Sequence, residues 1–297
     1  MPDTEHSARK HAVMLVIIAC FVLAGMDALG KHLVQHLPPA QVVWARYTFH
    51  TLLVALVFGV SHRGSFLRPQ RFWLQLLRGL CLLGVTLGMY LALRTVSLGE
   101  ATAIMFLAPI LVTLLAAWLL HEPIRPLHFL ALGMGFAGVT IILRPGMGGF
   151  QPALLLPLGS AVLLSVYFIL TRHLRGKDSA LTTLFHTTVA GSAGLSIAAP
   201  LFWIAPSMGE WPLLVLMGGL GASGHLLLIR AFHLAQASNL SPWLNMQILA
   251  AALYSSLLFG DPLSLPFAIG AILIVLGGTL VWRTQGGRES ASVQRRP

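Results

Sequence analysis

The stretch ALRTVSLGEATAIMFLAPILVTLLAAWLLHEPIRPLHFLALGMGFAGVTIILR, residues 92–144, decides the fold, because the chain spells it a second time. The other version is AFHLAQASNLSPWLNMQILAAALYSSLLFGDPLSLPFAIGAILIVLGGTLVWR, residues 231–283. The two run without a gap: Glu122-Pro123 falls on Asp261-Pro262, Gly138 on Gly277, Thr140 on Thr279 and Arg144 on Arg283. Apolar matches mean little in Leu/Ala-rich text. The weight rests on the acidic-Pro corner, the glycine, the threonine and the terminal arginine, which hold one register. Further back, Lys31-His32-Leu33 matches Arg172-His173-Leu174, and Ala40 matches Ala180. A repeat of about 140 residues constrains the whole fold and is read before local structure. It divides the chain into residues 1–148, residues 149–285 and a polar tail at 286–297.

Of 297 residues, 56% are hydrophobic and only 9% charged, against roughly 25% charged in soluble domains. Ala101–Leu120 is a run of 20 residues without a charge, long enough as a helix to cross about 30 Å of hydrocarbon. Similar runs recur, so an all-α membrane protein with ten spans is expected: 12–34, 40–60, 72–93, 99–120, 127–143, 153–172, 180–204, 211–231, 239–260 and 266–282. Prolines mark the breaks, at Pro38-Pro39, Pro69, Pro123, Pro126, Pro145, Pro206, Pro262 and Pro266. The net charge of +10 does not indicate nucleic acid, because the basic residues sit between spans, where orientation in the bilayer explains them. Cys20 and Cys81 lie inside spans and offer neither a disulfide framework nor a metal site. The polar N-terminus shows no small-residue cleavage site and reads as the start of a first membrane helix. No cofactor is expected. Gly133-Met-Gly-Phe-Ala-Gly138 has the dinucleotide spacing but lies mid-span, where glycines permit close helix packing, as do Gly84 and Gly88. There is no phosphate loop, so ATP-driven pumping by this chain alone is excluded.

With the N-terminus in the cytoplasm, 14 of the 19 Lys and Arg residues fall on inner segments and three, Lys31, Arg94 and Arg144, outside. Arg46 and Arg78 remain within spans. This bias places both termini in the cytoplasm. Two halves of five spans must enter the membrane from opposite sides, so the repeat is inverted, an architecture of secondary transporters. Five-span halves, each closing with a span, an acidic-Pro corner and a Gly-rich last span, resemble EamA-type members of the drug/metabolite transporter superfamily over nearly the whole chain. The resemblance implies a multi-pass protein of the bacterial inner membrane. It also implies a small-molecule substrate, alternating access, and a cavity lined by spans 1, 3, 4, 6, 8 and 9. A monomer is expected.

Asp27 is the only one of nine carboxylates well inside a span. An unpaired charge there costs about 2.5–3.5 kcal/mol even on the lenient insertion scale, so it must face partners or water. It binds a substrate amine or carries a coupling proton; the structural alternative is a pair with Lys31, one helical turn away. Arg78, near a span end, reads as snorkelling to the interface; Arg46 lies deeper, on a span with His50. His50, His186 and His225 each read first as hydrogen-bonded core groups, with His225, on the Gly-rich eighth span, the best binding candidate. The ninth span opens Ser241-Pro242-Trp243-Leu-Asn245-Met-Gln247, and Trp243, Asn245 and Gln247 suit a covered cavity better than lipid. The matching stretch of the fourth span holds Met105, Phe106 and the mid-span Pro109, the expected hinge. Tyr90 and Tyr167 join this list on spans that the resemblance assigns to the cavity.

The function expected is outward transport of amino acids or related small metabolites, including hydrophobic and aromatic ones, as in the YddG-like exporters that the chain resembles. Gln41–His50 and Arg78–Gly84 also resemble S-adenosylmethionine carriers of the same superfamily, which implies uptake as the alternative. A membrane-embedded enzyme is disfavoured, because the chain lacks a paired-histidine zinc motif, a nucleophile elbow and clustered carboxylates.

Overall fold

The computed structural model describes the backbone at residues 2–59, 67–120, 126–143, 151–174, 177–234, 240 and 243–293. Side chains are described from Lys10 to Leu280, except at 116, 117, 120, 172, 180, 233 and in the gaps between those ranges. Glu122-Pro123, Arg144, Arg175, Ser241-Pro242 and the side chains of Arg172 and Arg283 therefore lie outside the described residues.

The described residues are helices and connections, with no strand among them. In order they are α1 (Pro2–Leu33), α2 (Pro39–Gly59), α3 (Phe72–Ala92), α4 (Leu98–Met105), α5 (Ala108–Leu120), α6 (Pro126–Leu143), α7 (Leu155–His173), α8 (Ala180–Ala198), α9 (Glu210–Leu234), α10 (Met246–Phe259) and α11 (Leu265–Val293). Seven described segments are long and apolar enough to cross a bilayer: they fall on α1, α2, α3, α4 with α5, α6, α7 and α9. Met246–Phe259 and Leu265–Leu280 are apolar but shorter. α11 runs on into the tail beyond the expected end at 282.

Local chemistry sets the boundaries. Ser97 accepts from the Glu100 N–H at 3.2 Å and donates its hydroxyl to Glu100 Oε2 at 2.9 Å, a side-chain N-cap that starts α4. Pro109 then breaks the expected fourth span. It has no N–H for the Met105 carbonyl and its ring would crowd it, so α4 stops at Met105 and α5 begins at Ala108. Pro109 itself is exposed, in the first turn of α5. In the repeat register Phe106 corresponds to Asn245, and α10 begins one residue later, at Met246. α10 ends at Gly260, whose φ of 67° suits glycine. Its N–H reaches Ser256 O at 3.1 Å and the Asp261 N–H reaches Ser255 O at 3.2 Å, a closed C-terminal turn.

Packing is reciprocal between the halves. α1 packs on α9 and α10, while α7 packs on α3 and on α4–α5; α2 meets α9 as α8 meets α3. α2 packs against α8, α4 against α10, and α6 against α11. Glycines mark the closest crossings. A Cβ on Gly84 of α3 would lie 2.8 Å from Leu163, and one on Gly224 of α9 2.7 Å from Leu23. Gly135 and Gly138 serve α6 in the same way, against Ile110 and Gly270, so these two glycines of the mid-span motif are packing devices, whereas Gly133 faces open space.

Cross-bonds sort the connections into two ends. Gln35 to Leu93 O, Gln41 to Ile204 O and Lys31 to Asp261 gather the α1–α2, α3–α4, α8–α9 and α10–α11 connections at one end. The bond from Gln70 N to Asp178 joins the α2–α3 and α7–α8 connections at the other. The outer surface is apolar, with Leu56, Trp73, Trp118, Ile197 and Leu257 all strongly exposed, as lipid contact requires.

Candidate functional site

Asp27 is held from neighbouring helices, not from its own. Arg46 of α2 places Nη1 3.3 Å from Asp27 Oδ1, and Tyr90 of α3 donates its O–H to the same oxygen at 3.4 Å. Arg46 Nη1 also donates to the Tyr90 hydroxyl at 3.1 Å, and the guanidinium carbon lies 5.6 Å from the ring centre. Lys31 is not the partner of Asp27. Its Nζ lies 2.7 Å from Asp261 Oδ2, so the one-turn pairing expected from sequence gives way to a tertiary contact across the repeat.

The cluster is enclosed but not sealed. Tyr90 is fully buried, and a Cβ on Gly30 would lie 2.7 Å from its ring, which fixes the hydroxyl beside Asp27. The Arg46 and Asp27 side chains keep 16% and 14% of their surface. They share a single long bond where a carboxylate and a guanidinium are able to make two parallel short ones. A carboxylate, a guanidinium and a phenol thus face one partly open point deep in the helices. That arrangement has opposite charges to offer to one ligand.

Arg78 corrects the snorkelling expectation. It is only 1% exposed, because α7 and α8 cover the end of α3. Nη1 donates to the Tyr167 hydroxyl at 3.1 Å and to Thr171 at 3.4 Å, and Nη2 donates to Thr183 O and Thr187 Oγ1. Among the described residues, no carboxylate lies within ion-pair distance of it; hydroxyls and a carbonyl solvate the cation instead. Tyr167 therefore belongs to this second cluster, with Arg78 5.0 Å over its ring.

His225 stands against His50, with ring centroids 5.8 Å apart, where Gly221 lets α9 approach α2. His50 Nε2 is buried and has no partner among the described residues. Met105 and Phe106 sit half-buried at the α4–α5 break. Trp243 is 39% exposed and its carbonyl faces the Cys20 thiol at 3.7 Å. Asn245 and Gln247 are half-buried at the start of α10. Of the residues singled out by sequence, direct bonding joins Asp27 to Tyr90; Tyr167 and His225 enter clusters of their own. Arg46 completes the central cluster. Its depth in the second span was the signal for it, but nothing in the sequence paired it with Asp27.

The EamA-like transporter family model matches the chain twice, at residues 10–144 and 151–283. The S-adenosylmethionine uptake transporter of Rickettsia bellii is 27% identical over 250 residues, covering 84% of this chain and 85% of that protein. The riboflavin transporter of Vibrio cholerae is 25% identical and covers 99% and 100%. The pseudopaline exporter CntI of Pseudomonas aeruginosa is 26% identical and covers 94% and 98%. One solved crystal structure shares the fold, with a TM-score of 0.59 at 24% identity over 93% of this chain and 96% of that one.

Proposed function

The chain belongs to the EamA-like transporter family, and from that premise we propose that it carries small metabolites with an amino-acid head group by alternating access. It is a multi-pass protein of the bacterial inner membrane. In this reading two inverted halves, residues 1–148 and 149–285, supply ten crossings with both termini in the cytoplasm. The reciprocal packing, α1 on α9 in one pairing and α7 on α3 in the other, supports that arrangement.

The observation that carries the substrate class is the single 3.3 Å bond between Arg46 and Asp27. An amino-acid head group has one ammonium and one carboxylate. Its ammonium replaces Arg46 on Asp27, its carboxylate replaces Asp27 on Arg46, and Tyr90 bonds either. The exchange brings no net charge into the membrane interior, where an uncompensated charge costs about 2.5–3.5 kcal/mol or more. Met105, Phe106, Tyr167, His225, Trp243, Asn245 and Gln247 are proposed to line the path for the rest of the solute. The breaks before Pro109 and at Asn245 are proposed as hinges, since each interrupts a helix at the same register of the repeat.

Export is the proposed direction, following the resemblance read from the sequence and the likeness to the pseudopaline exporter. Uptake is the second reading, favoured by the S-adenosylmethionine uptake relatives, whose named solute is itself an amino-acid derivative. Liposomes loaded or bathed with labelled amino acids, S-adenosylmethionine and riboflavin test both. Flux of head-group-bearing solutes that competes among them and disappears in Asp27→Asn is expected. Transport of riboflavin alone would sink the head-group reading.

A further inference from the structure

A chain of polar contacts ties the tip of the α3–α4 hairpin to the opposite half of the protein. Gly260 turns the backbone back at the end of α10, which brings Asp261 over both Ser255 and Lys31. Lys31, 8% exposed and 4.6 Å from the centre of the Phe259 ring, makes its ion pair with Asp261 at 2.7 Å. The Ser255 hydroxyl donates to the same oxygen, Oδ2, at 2.6 Å. With its proton committed, Ser255 Oγ presents lone pairs, and the Gly99 N–H at the start of α4 donates to it at 3.4 Å. That N–H is one of those that a helix start leaves without an internal partner, at its positive end. The carboxylate thus acts through a serine on a helix terminus in the other half.

The contacts differ in strength. Two are short and involve the charged carboxylate; the third is long, neutral, and the link that leads to α4. Gly99 allows the approach, since a Cβ there would lie 3.3 Å from Ala252 Cα and from Phe267. Three further bonds reach the same tip: Gln35 to Leu93 O at 3.3 Å and to Arg94 O at 3.5 Å, and Arg94 to Val34 O at 3.2 Å.

We propose that Lys31, Asp261 and Ser255 form a latch that closes this end of the transport path, with the Ser255–Gly99 bond as the joint that opens. The proposal rests on the transport reading above. Lys31 and Asp261 are positioning residues that stay paired, and the hairpin tip leaves and returns. The charge bias assigns this end to the outside.

The test is a distance measurement by electron paramagnetic resonance in liposomes, with Cys20 and Cys81 replaced by Ser. Spin labels go on Thr95→Cys at the exposed tip and Leu263→Cys on the α10–α11 connection. One dominant short distance is expected in the parent. Ser255→Ala should raise the share of a longer distance about fivefold, the factor for one neutral hydrogen bond. Lys31→Met with Asp261→Leu removes both charges together and should give a similar shift. Adding Ser255→Ala to that pair should add little, because the three act through one joint. The pair variant carries the test if Ser255→Ala does not fold. An unchanged distance, or shifts that add in full, overturns the latch. The measurement needs no substrate, so failure of every solute to cross refutes the transport reading separately.

Discussion

Replacing Asp27 by Asn keeps its size and one hydrogen-bonding oxygen but removes the charge facing Arg46. At 3.3 Å, two unit charges attract by about 5 kcal/mol at an effective dielectric constant of ~20. Desolvation offsets much of that, and removing one partner of a buried pair costs about 3–5 kcal/mol because the other is left uncompensated. The single contact and the residual 14% and 16% exposure place both Asp27→Asn and Arg46→Met at the lower end, about 3 kcal/mol each. The double variant strands no charge. A cycle of the four proteins should give a coupling of about 2 kcal/mol by unfolding in detergent. Lys31→Met, by contrast, should not couple to Asp27→Asn, since Lys31 pairs elsewhere. In liposomes both singles are expected to lose flux, and the double variant to regain stability while staying inactive. A coupling below about 0.5 kcal/mol would refute the pair; full flux in the double variant would refute its part in binding.

Arg78→Met removes the donor that serves Tyr167, Thr171 and Thr187, and should cost about 2–3 kcal/mol of stability. Arg78→Lys should recover only part, lacking the planar fork; a fully stable Arg78→Met protein in detergent unfolding would count against the cage. Gly30→Ala sets a Cβ 2.7 Å from the Tyr90 ring, so a loss of about 1–3 kcal/mol from overpacking and a drop in flux are expected. Gly133→Ala, where a Cβ meets nothing within 4 Å, is the control that should leave liposome transport unchanged. An impermeant thiol reagent added outside intact cells should modify Ser207→Cys but not Lys177→Cys; the reverse pattern would show that the charge bias misassigns the faces.

The sequence was most informative where helix chemistry is local. The Asp261-Pro262 corner marks a helix end, and Pro109, expected as a hinge within one span, proves to be a break that the repeat register carries from Phe106 to Asn245. Asp27 was recognisable because a lone carboxylate in an apolar span needs a reason to be there. Its partner was not, because helix spacing reveals only neighbours on one helix surface. Arg46 and Tyr90 arrive from two other helices, at separations that no periodicity encodes. Arg78 was misread for a related reason. Its nearness to a span end suggested water, whereas the hydroxyls of α7 and α8 already occupied that end.

The crossing of α6 and α11 leads somewhere different. Gly138 and Gly270 meet so closely that a Cβ on either would lie 2.6 Å from the other's carbonyl oxygen. Sliding either helix by one turn would bring Ile142 or Ile274, the same-face neighbours of these glycines, onto that backbone, at a separation that a side chain does not tolerate. The crossing therefore resists sliding, and the two helices are expected to travel as a single piece. For anyone measuring motion in this protein, it is a built-in ruler. A pair of labels across α6 and α11 should report one constant length, against which displacements of the hairpin tips can be read.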